Sequence, residues 1–181
     1  MLMVEAGRID HAHHAGNAAR ALMDTVALSE AVQAAYDAVN PEETLIVVTA
    51  DHSHVSSIAG YPARGNPILG IAGNGDDGKP YSTLGYMNGP GAAVFEGEAP
   101  VAPEGSDAET PLTIRADLTD IDTTDVDFLQ QALVPMGSET HAGDDVAIFA
   151  QGPWAHLFHG VVEQNIIYHV MAKAIGLDSA K

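Results

Sequence analysis

Carboxylates and imidazoles in this chain gather in three short stretches that lie far apart along it. They are Glu5-Ala-Gly-Arg-Ile-Asp10-His11-Ala-His13-His14, then Thr49-Ala-Asp51-His52-Ser53-His54, then Glu139-Thr-His141-Ala-Gly. Carboxylate with imidazole suits zinc-type ions, whereas carboxylates alone suit magnesium. Asp10 and His14 stand four residues apart, so a helix that begins there projects both from one face. Asp51 and His52 close the apolar run Leu45-Ile46-Val47-Val48, and open α/β sheets place their ligands just past the carboxyl end of a buried strand. The pattern reads as a chain built around metal.

The 181 residues suit one domain with a sizeable core. A formal charge of −18, from 25 acidic and seven basic residues, argues against nucleic acid and against an anionic membrane surface, both of which need clustered Lys and Arg. Without cysteine there are no disulfides. No apolar run reaches the roughly 20 residues of a membrane span. The start, Met1-Leu-Met-Val, is too short for a signal peptide's hydrophobic region. Met1 to Val4 reads instead as a buried strand, which places the start of the chain inside a fold.

Residues 11–40 read as one Ala-rich helix with an apolar stripe through Leu22, Val26, Val32, Tyr36 and Val39, ended by Asn40-Pro41. Thr44 to Ala50 has the continuous apolar character of a parallel strand covered on both faces. Strand, helix, strand makes the class α/β. From Gly60 to Gly105 glycine and proline concentrate, which points to turns and short irregular strands. Tyr81–Tyr86 and Ala92–Phe95 suggest a hairpin across Asn88-Gly-Pro-Gly91. Residues 104–127 carry eight carboxylates and one Arg, Arg115, and read as a solvated loop. Asp120, Asp122 and Asp125 lack the EF-hand pattern of a calcium loop. Val146–Ala150 reads as a buried strand and Gly160–Leu177 as a helix.

The stretches V-E-A-G-R-I-D-H-A-H-H, T-A-D-H-S-H and E-T-H-A-G-D-D-V-A-I-F-A resemble alkaline phosphatase, in that family's order and over nearly the whole chain. The resemblance implies the C-terminal portion of such an enzyme: a partial α/β/α sandwich with a mainly parallel sheet and an irregular surface insertion. On that basis residues 1–73 and 137–181 form the α/β core, and 74–136 the Gly/Pro-rich, acidic, crown-like insertion. The resemblance further implies that Asp10, His14 and His141 complete one zinc site. Asp51 and His52 would be part of a second, and Glu5 the single magnesium ligand present. His11 would lie near the magnesium water and phosphate. The family's nucleophilic serine, its phosphate-gripping arginine and further metal ligands belong to a portion that these residues do not include.

The implied activity is hydrolysis of phosphate monoesters through a phosphoserine, with two divalent ions clamping the phosphoryl group. This chain alone would be inactive, and would self-associate or pair with an N-terminal fragment. The full-length protein would be periplasmic or extracellular. Two other readings fit the same residues: a sulfatase or phosphodiesterase sharing the two-metal core, and an inert metal-binding or assembly fragment. His13 and His54 alternate with the ligands and read as hydrogen-bond supports of the site. His156, His159 and His169 read as ordinary histidines. Ser53, between His52 and His54, does not make a catalytic triad, and Asp178-Ser179-Ala180 is a chance echo of the family's nucleophile motif.

Overall fold

The computed structural model describes residues 1–92 and 115–177, which divide into two compact units. The first comprises Met1–Val26 and His54–Ala142, the second Ala27–Ser53 and Gly143 onward. In chain order the elements are α1 (Arg8–His14), α2 (Ala18–Ala38), β1 (Ile46–Val48), β2 (Ser53–His54), β3 (Ser56–Ile58), β4 (Ile71–Asn74), β5 (Pro80–Ser82) and β6 (Leu84–Gly89). They continue with β7 (Ala132–Pro135), β8 (His141–Ala142), β9 (Phe149–Gln151) and α3 (Ile166–Ala174).

The single helix expected over residues 11–40 is two helices. Gly16 lies at φ 68°, in the left-handed region that glycine enters without steric cost. Its N–H bonds the His13 carbonyl, and the Asn17 N–H bonds the Ala12 carbonyl, the paired bonds of a Schellman ending. Asn17 then caps the next helix. Its Oδ1 accepts the Arg20 N–H at 2.9 Å, and its Nδ2 donates to the Val126 carbonyl at 2.8 Å. Gln130 Oε1 accepts the Ala18 N–H at 2.7 Å, which satisfies a second donor of the α2 start. Both side chains are buried, along with Ala12, Ala18, Ala19 and Ala21.

Sheets in the first unit are short and mixed. β6 pairs antiparallel with β3 (Ser57 opposite Gly85) and parallel with β7 (Asn88 opposite Val134), while β4 pairs antiparallel with β5. Tyr81 pairs with Gly73 in the β4–β5 ladder, and the expected hairpin strand Ala92–Phe95 lies, beyond Ala92, outside the described residues. The lone Arg115 of the acidic stretch binds Asp77 Oδ1 at 2.7 Å and the Pro80 carbonyl at 2.5 Å, tying that stretch to the β4–β5 turn. Its guanidinium holds the Asp77 carboxyl below the usual carboxylate range. Asp117, Asp122 and Asp125 each accept the N–H two residues on, so these acidic residues fold into successive Asx turns.

In the second unit β1 runs antiparallel to β9, with Val47 opposite Ala150. A mainly parallel sandwich is thus not found among the described residues. The apolar run Leu45–Val48 announced a strand, but its partner's direction depends on the connection between them, which side-chain pattern does not encode. Met1–Val4 is likewise not a strand: these side chains are exposed, Met1 fully and Val4 at 67%. The expected strand 146–150 is Phe149–Gln151, and the expected helix 160–177 begins only at Ile166, after Gly160 turns at φ 70°. Leu22, Val26 and Tyr36 of the anticipated apolar stripe are also exposed.

Two outcomes follow from this packing. Asn17→Ala removes a cap and strips the Val126 carbonyl of its donor, which should lower unfolding free energy in urea by about 2 kcal/mol. Arg20→Ala, which loses only an exposed ion pair to Asp127, should cost less than about 1 kcal/mol. The exposed Met1–Val4 segment and Phe149 should also drive association, opposed by the charge of −18. Light scattering should therefore rise from low to high salt as that repulsion is screened; a monomer at every ionic strength would refute this.

Candidate metal centre

The first unit gathers Asp10 and His14 from α1, His54 from the end of β2, and His141 from β8. Asp10 Oδ1 lies 3.0 Å from His54 Nε2, 3.3 Å from His141 Nε2 and 3.4 Å from His14 Nε2. His14 Nε2 and His141 Nε2 are 3.1 Å apart. Tetrahedral coordination with metal–ligand bonds of about 2.0 Å sets neighbouring donor atoms about 3.3 Å apart. One carboxylate oxygen and imidazole nitrogens at 3.0–3.4 Å therefore fit the edges of such a site, and mixed N/O donors suit a zinc-type ion.

His14 is held in a defined tautomer. Its Nδ1 lies 2.6 Å from the Glu139 carbonyl oxygen, which can only accept, so Nδ1 carries the proton and Nε2 keeps its lone pair. The Glu139 N–H returns a 2.9 Å bond to the His14 carbonyl. The next residue, Thr140, is locked onto β6: its N–H donates to Asn88 Oδ1 at 3.1 Å, and Asn88 Nδ2 donates to its hydroxyl at 2.9 Å. Gly89, at φ 142°, ends β6 where a Cβ would sit 3.4 Å from the Glu139 Cβ, so a bare backbone passes beside that side chain.

Behind the cluster lies a layer of supports. The buried Glu139 carboxylate accepts the Val55 N–H at 2.8 Å through Oε1 and lies 2.7 Å from His54 Nδ1 through Oε2. His13 stacks on His54 with centroids 4.6 Å apart, and its Nδ1 shares a 2.8 Å hydrogen bond with Tyr86 Oη. Burial, with the neighbouring His54, pulls the His13 pKa below its ordinary value, so the ring is neutral at pH 7. Burial, with the Glu139 charge, pushes the Tyr86 phenol above its ordinary range, so it stays protonated.

Of the residues singled out from sequence, Asp10, His14, His54 and His141 meet in the first unit. Glu5, ahead of α1, and His11, on it, are both exposed and stand outside this group. Asp51 and His52 belong to the second unit, where Asp51 Oδ2 lies 3.4 Å from His52 Nε2 and the Asp51 side chain is largely exposed. Ser53 Oγ accepts the Asp144 N–H at 3.1 Å. The sequence motif E-T-H contained Glu139 but gave it no role, and nothing local pointed to Tyr86, because its partner His13 is 73 residues away.

The family model for alkaline phosphatase matches residues 1–177. This chain belongs to the alkaline phosphatase family. It is 46% identical over 175 residues to the tissue-nonspecific alkaline phosphatase of Gallus gallus, covering 96% of this chain and 31% of that protein. It is 45% identical to the tissue-nonspecific isozyme of Rattus norvegicus, at 96% and 30% coverage, and 44% identical to the alkaline phosphatase of Gadus morhua, at 96% and 33%. The chain thus spans about a third of the length of these relatives. Membership in the alkaline phosphatase family implies metal cofactors, and the donor geometry around Asp10 fits one. Among the described residues, no helix is long and apolar enough to cross a membrane.

Calorimetric titration of metal-free protein with zinc should reveal one tight site. His141→Ala should weaken it by more than the ~10–100-fold typical of losing an outer support, while His169→Ala, on α3, should leave it unchanged. Equal effects of the two substitutions would refute this assignment.

Proposed function

We propose that this chain is the metal-binding C-terminal part of a phosphomonoesterase that acts through a serine nucleophile lying outside these residues. The single observation that carries this reading is the convergence of three Nε2 atoms on Asp10 Oδ1 within 3.4 Å. Asp10, His14 and His141 would hold one zinc ion. Asp51 and His52 would contribute to a second, and Glu5 to magnesium. Ions bound there supply charge stabilisation to phosphoryl oxygens and lower the pKa of a coordinated water or hydroxyl.

The chain's own residues prepare that site. His14 presents a lone pair because its Nδ1–H is committed to a carbonyl. Glu139, Asn88 and Thr140 hold the His141 segment against α1 and β6. Neutral His13 packs against His54 without adding positive charge beside the ligands. The substrate class that family membership supports is a phosphate monoester. We further propose that the full-length protein is a periplasmic or extracellular homo-oligomer.

Pure 181-residue protein with zinc and magnesium should hydrolyse an aryl phosphate no faster than buffer. Robust turnover that Ser53→Ala abolishes would place the nucleophile within this chain instead. A chimera in which these residues replace the matching third of the Gadus morhua enzyme tests the positive side. It should show zinc-dependent phosphatase activity that His141→Ala removes. A folded, zinc-loaded but inert chimera would favour the reading of this chain as a metal-binding fragment with no catalytic part.

A further inference from the structure

Glu139 is one of the few fully buried side chains here, 1% exposed, and its contacts span the cluster. Burying a carboxylate is costly unless its lone pairs are used. Here one oxygen takes the Val55 N–H, and the other faces His54 Nδ1 at 2.7 Å. The same residue's carbonyl accepts His14 Nδ1–H at 2.6 Å. Two histidines from separate segments thus lean on one residue, each through Nδ1. In consequence each turns Nε2 toward Asp10 Oδ1, His54 at 3.0 Å and His14 at 3.4 Å.

We propose that Glu139 is the positioning residue of this metal centre, its carboxylate aiming His54 and its carbonyl aiming His14 at the point where Asp10 and His141 meet. The role rests on the reading of the cluster as a metal site. Three features set it apart from a merely packed residue. An ionised carboxylate only accepts, so it selects the His54 tautomer with the proton on Nδ1. The Val55 N–H on the other oxygen stops the carboxylate from rotating away. The reciprocal Glu139 N–H bond to the His14 carbonyl, 2.9 Å, makes ring and residue move together. A carboxylate behind a ligating or ligand-supporting histidine also raises that ring's basicity, and such supports typically govern metal affinity by about 10–100-fold. The carboxylate faces His54 Nδ1 at 2.7 Å, so the effect should pass through His54.

A double-mutant cycle on zinc affinity tests this, with the 181-residue chain throughout. Glu139→Gln keeps the shape but not the charge, and should weaken zinc binding about 10–100-fold. In a His54→Ala background the same substitution should cost no more than ~3-fold, because the ring it aims is gone. An equal loss in both backgrounds would show that Glu139 only holds the fold, and would overturn the proposal. Nitrogen NMR of the unsubstituted protein gives an independent reading. His54 should show a protonated, hydrogen-bonded Nδ1, and Glu139→Gln should shift that population toward the other tautomer. A His54 with its lone pair on Nδ1 overturns the proposal even if the substituted proteins do not fold. Failure of the unsubstituted protein to bind zinc would sink the metal reading itself, whereas zinc binding indifferent to Glu139→Gln would sink only the positioning role.

Discussion

His14 and Glu139, 125 residues apart, are joined by two hydrogen bonds that run in opposite directions. One is backbone to backbone, from the Glu139 N–H to the His14 carbonyl, and the other runs from the His14 ring to the Glu139 carbonyl. Most of the site's geometry hangs on this junction. It brings His141, two residues on, to the end of α1 where Asp10 and His14 already share a face. It also delivers the Glu139 carboxylate to the Val55 N–H and the His54 ring. His14 and His54 are thereby held by bonds to backbone or to a buried carboxylate, and the rotamer entropy that a metal site must otherwise overcome is reduced before any ion arrives.

The fold around this junction is unusually polar for a core. Asn17, Gln130, Thr123 and Glu139 are all buried, and the alanines at the start of α2 supply much of the apolar contact. Such a core gains less from apolar burial than one built of Leu and Ile, and depends more on each polar group finding a partner. Asn17 Oδ1 and Gln130 Oε1 find theirs at the α2 N-terminus, where free N–H groups need acceptors. Arg115 plays a similar part for the acidic stretch, giving three carbonyl or carboxylate groups one donor. Among the described residues of the acidic stretch, Asp117, Asp122 and Asp125 each accept a backbone N–H two residues on, which places these carboxylates in Asx turns.

Much of the candidate site is legible in the amino-acid sequence. Residue type and i,i+4 spacing place Asp10 and His14 on one helix face, whereas the grouping of Asp10, His14 and His141 as a ligand set is what the family resemblance of the motifs implies. The resemblance carried by those motifs points to the family, and the match to alkaline phosphatases over residues 1–177 bears it out. What local signals misjudge is continuity and direction. The G-N pair at 16–17 is a stop and a start compressed into two residues, and the Ala-rich sequence on both sides masks it. Met1–Val4 is apolar enough for a strand, yet apolarity sets only a preference for burial and supplies no partner. Phe149, 68% exposed, makes the same point from the other end of the chain.

Sequence by itself determined which family's motifs these side chains share, and it singled out carboxylates and imidazoles of the kind that suit a divalent ion. These are properties of residue type and near spacing, and they survive any rearrangement of distant segments. Tertiary structure alone decided that His54 turns its Nε2 to Asp10 rather than standing apart, that His13 is backed by Tyr86, and that β1 meets β9 antiparallel. Above all it made Glu139 the hub of the cluster. The reason is physical: a hydrogen-bonding role depends on which donor a buried carboxylate meets, and those donors come from segments that only folding brings together.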